Sequence, residues 1–107
     1  MILKNNGETF KYNGVTYTIG GDIVCMEASD EFEGLTGIVL EIRDGEDKET
    51  DNITPDIYCM LNEPTTPELI EEIEERFSDS YCEPKAIDEI CFDNVIMAPY
   101  MIRPLSQ

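Results

Sequence analysis

The chain has 107 residues with 24 Asp and Glu against 7 Lys and Arg, which gives a formal net charge of −17, and it has no histidine. Such a charge repels nucleic-acid phosphates and anionic lipid headgroups, so we expect no direct binding to nucleic acid or to a membrane. An apolar content of 41% is that of a folded protein, and the length predicts a single domain over residues 1–107.

The sequence contains four isolated cysteines, Cys25, Cys59, Cys82 and Cys91, with no C-x-x-C pair among them. Without histidine or close cysteine spacing a zinc site is not favoured, and we expect no metal and no cofactor. Cys25 and Cys59 lie in apolar segments, where a free thiol packs as a small hydrophobe, whereas Cys82 is expected to be exposed. The N-terminal residues lack the long apolar segment of an export signal, so we expect a reduced, cytoplasmic protein.

The first element predicted along the chain is a β-hairpin. Apolar residues alternate with polar ones on both sides of Asn13-Gly14, with Phe10 and Tyr12 before it and Val15 and Tyr17 after it. Asn-Gly favours a two-residue type I′ turn because both central residues of that turn need positive φ.

Three further strands are predicted at residues 23–26, 38–42 and 56–61, where apolar side chains dominate. A short acidic loop, residues 27–33, joins the first two of these strands. A long polar loop, residues 43–55, joins the second and third.

A helix is predicted at residues 67–79. Thr66 supplies an N-cap hydroxyl, Pro67 suits the first turn, and Glu68 places a carboxylate near the positive end of the helix dipole. The apolar residues of this segment share one helical face: Leu69, Ile70, Ile73 and Phe77.

One more strand is predicted around residues 91–97, before Pro99. We expect the tail to pack onto the body through Met101, Ile102 and Leu105 without forming a regular strand, because Pro104 lacks the N–H donor. Together these elements predict an α+β fold, mainly β: a small antiparallel barrel with one inserted amphipathic helix.

The segment of residues 21–42 contains two glycine-led apolar runs, Gly21-Asp22-Ile23-Val24 and Gly34-Leu35-Thr36-Gly37-Ile38-Val39. Together these runs resemble the KOW motif of SH3-like barrels, which ribosomal and transcription elongation proteins carry. The resemblance implies an SH3-like barrel. It does not imply RNA binding, because the basic residues of those families are absent and acidic residues stand in the region instead: Glu27, Asp30, Glu31 and Glu33.

Two other stretches carry a looser resemblance, RDGEDKETDNITPDIYC at 43–59 and DNVIMAPYMIRPL at 93–105. They are similar to small uncharacterised proteins of Firmicutes phages and mobile elements. This resemblance implies an origin in such an element and implies no particular activity.

Acidic residues recur on one face of the predicted helix: Glu68, Glu71, Glu72 and Glu75. The i,i+4 pairs Glu68/Glu72 and Glu71/Glu75 each cost roughly 0.2–0.5 kcal/mol by repulsion, and only Glu72/Arg76 attracts at that spacing. Carboxylates on such a face repeat every ~5–6 Å, a spacing of the same order as that of phosphates on a nucleic-acid strand. Two interpretations stay open: a solvated helix face and a surface that recognises a basic partner.

The loop of residues 43–55 is also rich in carboxylates: Asp44, Glu46, Asp47, Glu49 and Asp51. Oxygen ligands in a loop suggest calcium, but the EF-hand pattern fails, because Glu49 stands where glycine is needed and Pro55 where the bidentate Glu is needed. Weak cation binding is one interpretation of this loop, and an acidic recognition surface is the other.

The negative charge is concentrated in the middle of the chain. Residues 27–93 carry 22 acidic and four basic residues, a net charge of −18, whereas residues 1–26 are balanced and residues 94–107 carry +1. An asymmetric field of this kind steers a basic partner. We therefore expect the helix and the two acidic loops to bind a basic protein surface.

Enzymatic interpretations have little support in the sequence. There is no histidine to act as general base, and Gly34-Leu35-Thr36-Gly37 lacks the lysine of a phosphate-binding loop. The aromatic and Met residues suit either core or interface, and Tyr81 and Tyr100 are the ones expected at the surface.

The sequence favours a non-enzymatic acidic binding protein of phage or mobile-element origin. It would occupy the cationic nucleic-acid groove of a host protein, for example a CRISPR effector, and inhibit that protein by nucleic-acid mimicry. The alternative is a KOW/SH3-like adaptor or structural module whose charge serves solubility. A metal-dependent or thiol enzyme is a third interpretation.

Overall fold

The computed structural model describes residues 1–105. Its strands are β1 (Ile2–Leu3), β2 (Thr9–Tyr12), β3 (Val15–Thr18), β4 (Asp22–Cys25), β5 (Thr36–Arg43), β6 (Asp56–Leu61), β7 (Val95–Met97) and β8 (Ile102–Pro104). Its α-helix is α1 (Pro67–Tyr81), and short 3-10 helices lie at Glu27–Phe32, Gly45–Asp47, Ile87–Glu89 and Pro99–Met101. The predicted class, α+β and mainly β, is confirmed.

Strand β5 organises the main sheet, whose strand order is β7-β6-β5-β4-β8 with all neighbours antiparallel. β4 pairs with the first half of β5, and β1 pairs with its last two residues, Ile42 and Arg43. The register between β5 and β6 shifts between Val39 and Glu41. Such an irregularity bends the strand and increases its twist.

The described strands form an open sheet, so the predicted closure into a barrel is not observed. β7 and β8 lie at opposite ends of the strand order, and the hairpin β2–β3 forms a sheet of its own. This hairpin is tied to the main sheet where Gly20 N–H donates to the carbonyl of Val39, at 2.7 Å. β1 and β4 divide one edge of β5 between them, and the main-sheet pairings leave the outer edges of β7 and β8 open.

The predicted hairpin is confirmed in register and turn. Tyr12 pairs with Val15 across the turn, and Asn13 and Gly14 have φ values of 50° and 80°. Both central residues therefore adopt the positive φ that the two-residue turn requires.

The predicted helix begins at Pro67, where the Thr66 hydroxyl accepts from the Leu69 N–H at 3.3 Å. It extends two residues beyond the predicted end, to Tyr81. Cys82 then adopts a left-handed conformation with φ of 56°, and Glu83 N–H donates to the Ser78 carbonyl at 3.2 Å. This bond closes the helix in the manner of a Schellman motif with a non-glycine residue.

The prediction of an irregular tail was wrong. Residues Ile102–Pro104 form strand β8, which pairs with β4 through Cys25/Ile102, Val24/Arg103 and Ile23/Pro104. A proline is tolerated there because β8 is an edge strand, where a missing N–H costs no ladder bond. The short strand β1 was likewise not predicted, since two residues carry no periodicity.

The core lies between the main sheet, the hairpin and α1. Ile73 and Phe77 of α1 are buried, and Phe77 packs edge-on against Phe32 with ring centroids 5.2 Å apart. The Phe32 ring also packs against the Phe92 ring, with centroids 6.2 Å apart. These aromatic rings connect α1 with the sheet. This packing fixes which helical face is left for solvent.

Gly37 of β5 lies close to the backbone of β6. A Cβ at this position would be 2.3 Å from the carbonyl oxygen of Met60 and 2.9 Å from the Cα of Leu61. Backbone atoms cannot move aside as the end of a side chain can, so only glycine fits here without displacing β6.

We expect Gly37→Ala to lower the free energy of unfolding by about 2–3 kcal/mol, the range of an overpacked core. Gly14→Ala, at an open position with φ of 80°, should cost only the left-handed penalty of about 1–2 kcal/mol. Urea denaturation followed by circular dichroism measures both. A smaller loss for Gly37→Ala than for Gly14→Ala would contradict the close approach.

Candidate functional site

The acidic face predicted on α1 is open to solvent. Glu68, Glu71, Glu72 and Glu75 are exposed, and the opposite face carries the buried Ile73 and Phe77. Glu74, at the edge, is half-buried, and its carboxylate accepts from the Ile87 N–H at 2.8 Å. The face therefore presents its carboxylates outward, while its edge holds the following segment.

Arg76 joins this helix to the acidic segment Glu27–Phe32. Its guanidinium donates to the carbonyls of Glu31 at 3.2 Å and Glu33 at 2.8 Å, and to the carboxylate of Glu72 at 2.8 Å. The Ser80 hydroxyl adds a hydrogen bond to the Glu31 carboxylate. The structure thus brings together two segments that are about 40 residues apart in sequence, which we call the helix–loop cluster: Glu27, Asp30, Glu31, Glu33, Glu68, Glu71, Glu72 and Glu75.

A shallow depression marks the junction of the two segments. It is lined by Asp30, Glu31, Arg76, Asp79 and Ser80. Asp30 reaches it with φ of 57° and ψ of −110°, a backbone conformation outside the helical range. The walls are carboxylates, and the guanidinium between them is already bound.

Asp79 adjoins this cluster and was not predicted as a site residue. It is exposed and follows Glu75 by four residues, so it continues the acidic face by one turn. The signal was available in the sequence, because Asp79 is the last residue of the predicted helix and stands four residues after Glu75. The contacts of Arg76 with distant carbonyls, in contrast, have no sequence signal, since nothing in the sequence places residues 31–33 beside α1.

The second predicted cluster, in the loop between β5 and β6, lies apart from the first. That loop follows Arg43 at one end of β5, whereas the helix–loop cluster adjoins the other end, where Thr36 accepts from Asn62 at 2.8 Å. The eight residues of β5 separate the two ends by roughly 23 Å. The two acidic clusters are therefore distinct surfaces.

Most carboxylates of this second cluster take part in internal contacts. Asp44 accepts from Gly45 N–H at 2.9 Å, Asp47 pairs with the amino group of Met1, and Glu49 pairs with Arg43 at 3.4 Å. Glu46 and Asp51 are exposed. The loop thus uses its charge mainly to hold itself together.

Asp56, at the start of β6, anchors this loop. It is 1% exposed, and its carboxylate accepts from the N–H groups of Glu49 at 2.9 Å and Thr50 at 3.0 Å and from the Thr50 hydroxyl at 2.5 Å. Burial by itself raises the pKa of Asp56, but these hydrogen bonds outweigh burial and hold the pKa below its usual value of 3.8.

The cysteines are free thiols, with Cys25 and Cys59 buried and Cys82 and Cys91 exposed. Burial raises the pKa of Cys25 to about 11 and that of Cys59 to about 12. Both buried thiols therefore stay protonated at neutral pH and are poor nucleophiles. Within residues 1–105, no group of three or more His, Cys, Asp or Glu side chains is arranged to hold a metal ion.

The aromatic residues divide as expected. Tyr81 and Tyr100 are 60% and 63% exposed, whereas Tyr58 and Met97 are buried. Burial raises the pKa of Tyr58 to about 12, and the Arg43 guanidinium lies 5.2 Å from its ring centroid. Tyr58 therefore belongs to the packed interior of the sheet, whereas Tyr81 and Tyr100 are accessible for contacts at the surface.

No protein-family model, curated protein or solved structure matches this chain. In the part of the chain that the structure describes, no helix has the length and apolar character needed to cross a membrane. The assignment of function therefore depends on the chemistry of the surfaces described above.

We expect Arg76→Met to lower the free energy of unfolding by about 1–2 kcal/mol, because it leaves two carbonyls and one carboxylate without their donor. The matched control, Lys85→Met, removes the surface pair with Glu83 and the contact of the ammonium with the exposed Tyr81 ring, and it should cost less because both contacts lie at the surface. Urea denaturation measures both losses. Equal losses would show that Arg76 does not hold the helix against the segment Glu27–Phe32.

Asp56→Asn should destabilise the protein at pH 7 by about 1–3 kcal/mol, because a charged acceptor of three hydrogen bonds is lost. The pKa of Asp56 is lower in the folded state than in the unfolded state, so its contribution is present above pH 3.8 and is lost as the pH falls through the folded value. The difference between variant and wild type should therefore shrink below about pH 4. Urea denaturation at a series of pH values tests this, and a difference independent of pH would contradict it.

Proposed function

We propose that this chain is a non-enzymatic acidic binding protein of phage or mobile-element origin, acting in the cytoplasm, that docks on a cationic surface of a nucleic-acid-binding host protein. In this proposal the helix–loop cluster occupies a groove that otherwise holds nucleic acid, and occupation inhibits the host protein. A CRISPR effector, with its basic guide and target channels, is an example of such a host.

The observation that carries the proposal is the outward-facing acidic face of α1 and its junction with the segment Glu27–Phe32. Glu68, Glu71 and Glu75 are exposed, and their carboxylates have no hydrogen bond or ion pair among residues 1–105. A helix that keeps like charges at i,i+4 spacing loses stability in isolation. A basic partner would offset that loss.

The basic residues of the acidic middle segment are engaged elsewhere. Arg43 and Lys85 pair with carboxylates, Arg76 bonds the residues described above, and Lys48 donates to the Asn52 carbonyl. Little positive charge is therefore left to neutralise the acidic face. A negative field of this kind accelerates association with a basic surface and weakens as salt is added.

A second candidate is a KOW/SH3-like adaptor or structural module whose charge serves solubility. The strand order favours it, because the last strand, β8, returns to pair beside β4, the first strand of a meander of antiparallel strands. The irregularity in β5 adds the bend with which small sheets curl toward a barrel. In this candidate the sheet is an open variant of an SH3-like barrel.

The variant Glu68→Gln, Glu71→Gln, Glu75→Gln tests the acidic face. We expect it to fold, since it removes repulsion, and to bind the partner about tenfold more weakly or worse, a loss of about 1.4 kcal/mol or more. The partner is captured by pull-down from a bacterial host lysate at low salt. It should be a nucleic-acid-binding protein that is released at about 0.5 M salt and by an oligonucleotide competitor.

The matched control variant is Asp22→Asn, Glu63→Gln, Asp88→Asn, which removes the same charge from exposed positions outside the cluster. Its affinity for the partner should stay within about twofold of the wild-type affinity, because salt screens each charge and confines its effect to nearby groups. Equal losses in the two variants, or a captured partner indifferent to salt and to the oligonucleotide, would reject mimicry and favour the adaptor.

A further inference from the structure

A cleft lies between the hairpin β2–β3 and the C-terminal segment, away from the helix–loop cluster. Its volume is about 390 Å³, and its walls include Tyr12, Tyr17, Met26, Pro99 and Tyr100. Pockets for small ligands span about 300–1,000 Å³ and are lined mainly by apolar and aromatic side chains with a few polar groups. The cleft has both the size and the lining of such a pocket.

Two contacts build the cleft and keep its walls in place. The buried Tyr17 hydroxyl donates to the carbonyl of Pro99 at 3.0 Å, which ties the hairpin to the 3-10 helix Pro99–Met101. Met26 N–H donates to the carbonyl of Met101 at 2.8 Å, which ties the same 3-10 helix to the end of β4. Tyr100 stays 63% exposed between them.

In the part of the chain that the structure describes, the cleft lacks the negative charge that dominates the rest of the molecule. None of the ten residues that line it between positions 1 and 105 is acidic, although 24 of the 107 residues of the chain are Asp or Glu. Arg103 lines it, and the Arg103 guanidinium has no ion pair or hydrogen bond among the described residues. An unpaired guanidinium beside an apolar wall is a site for a carboxylate, which it binds in a bidentate manner.

The edge of β8 does not favour the addition of a peptide strand. Ile102 N–H already donates to the Pro99 carbonyl, and Pro104 has no N–H. A peptide added at this edge would find few backbone donors, so the cleft must recognise its occupant through side chains. This chemistry fits a small molecule better than an extended chain.

We propose that this cleft binds a small amphipathic carboxylate, with its aromatic or aliphatic body against Tyr12, Met26 and Tyr100 and its carboxylate on Arg103. The negative charge of the chain opposes an anion at long range, but screening confines that effect to about 8 Å at physiological ionic strength. The site is separate from the acidic surface and does not depend on the proposed function.

The test uses three probes that share a phenyl group on a three-carbon chain and differ in charge. They are 3-phenylpropionate, which is anionic, 3-phenylpropionamide, which is neutral, and 3-phenylpropylamine, which is cationic. Each is titrated into the full chain, and the shifts of backbone amide signals are followed by NMR. We expect the carboxylate to bind at least about tenfold more tightly than the amide and the amine, with shifts at residues 12–17 and 100–103.

Arg103→Gln should weaken binding of the carboxylate about tenfold and leave binding of the amide unchanged. Lys11→Gln is the matched control, because Lys11 is an exposed cation of the hairpin that does not line the cleft, and it should change neither affinity.

Several results would overturn the proposal. They are equal binding of the three probes, equal effects of Arg103→Gln and Lys11→Gln, shifts outside the cleft, or no shift up to about 10 mM of the carboxylate. A dimer in sedimentation analysis whose interface covers Tyr100 would overturn it as well, since the cleft would then be occupied by a second copy. Failure here would leave mimicry by the acidic face untouched, because the two surfaces share none of the tested residues.

Discussion

The backbone pairing of β5 on both of its edges is the constraint on which the rest of the structure depends. β6 covers one edge, and β4 and β1 divide the other. The approach to β6 is so close at Gly37 that a single added carbon would meet backbone atoms. Because β5 is held in this way, its two ends fix the positions of the two acidic clusters that adjoin them.

The two acidic clusters illustrate this dependence. One follows the last residue of β5 and is folded around the buried carboxylate of Asp56. The other adjoins the first residues of β5, where Arg76 holds α1 against the segment Glu27–Phe32. The two clusters are similarly rich in carboxylates, but their carboxylates have different contacts. Carboxylates in the first cluster mainly accept internal hydrogen bonds, whereas those on α1 are left facing solvent.

The molecule therefore presents surfaces of contrasting chemistry. The acidic face of α1 suits a basic macromolecule, while the cleft beside the hairpin has no acidic residue among the described residues that line it and carries the Arg103 guanidinium, which has no ion pair or hydrogen bond among residues 1–105. The contrast follows the distribution of charge along the chain, because the ends are neutral or weakly positive and the middle is strongly acidic. The two ends of the chain form most of the cleft, to which the middle contributes Thr54, and the middle forms the acidic face.

The sequence by itself determined the local elements. Asn13-Gly14 specified the hairpin turn, Thr66-Pro67 specified the start of α1, and the helical spacing of its glutamates specified an acidic face opposite Ile73 and Phe77. Only the tertiary structure decided that the sheet stays open, that the tail becomes β8 despite Pro104, and that Arg76 reaches the carbonyls of distant residues. The reason is physical: turns and caps are set by neighbours within a few residues, whereas strand partners and long-range hydrogen bonds depend on which segments the packed core brings together.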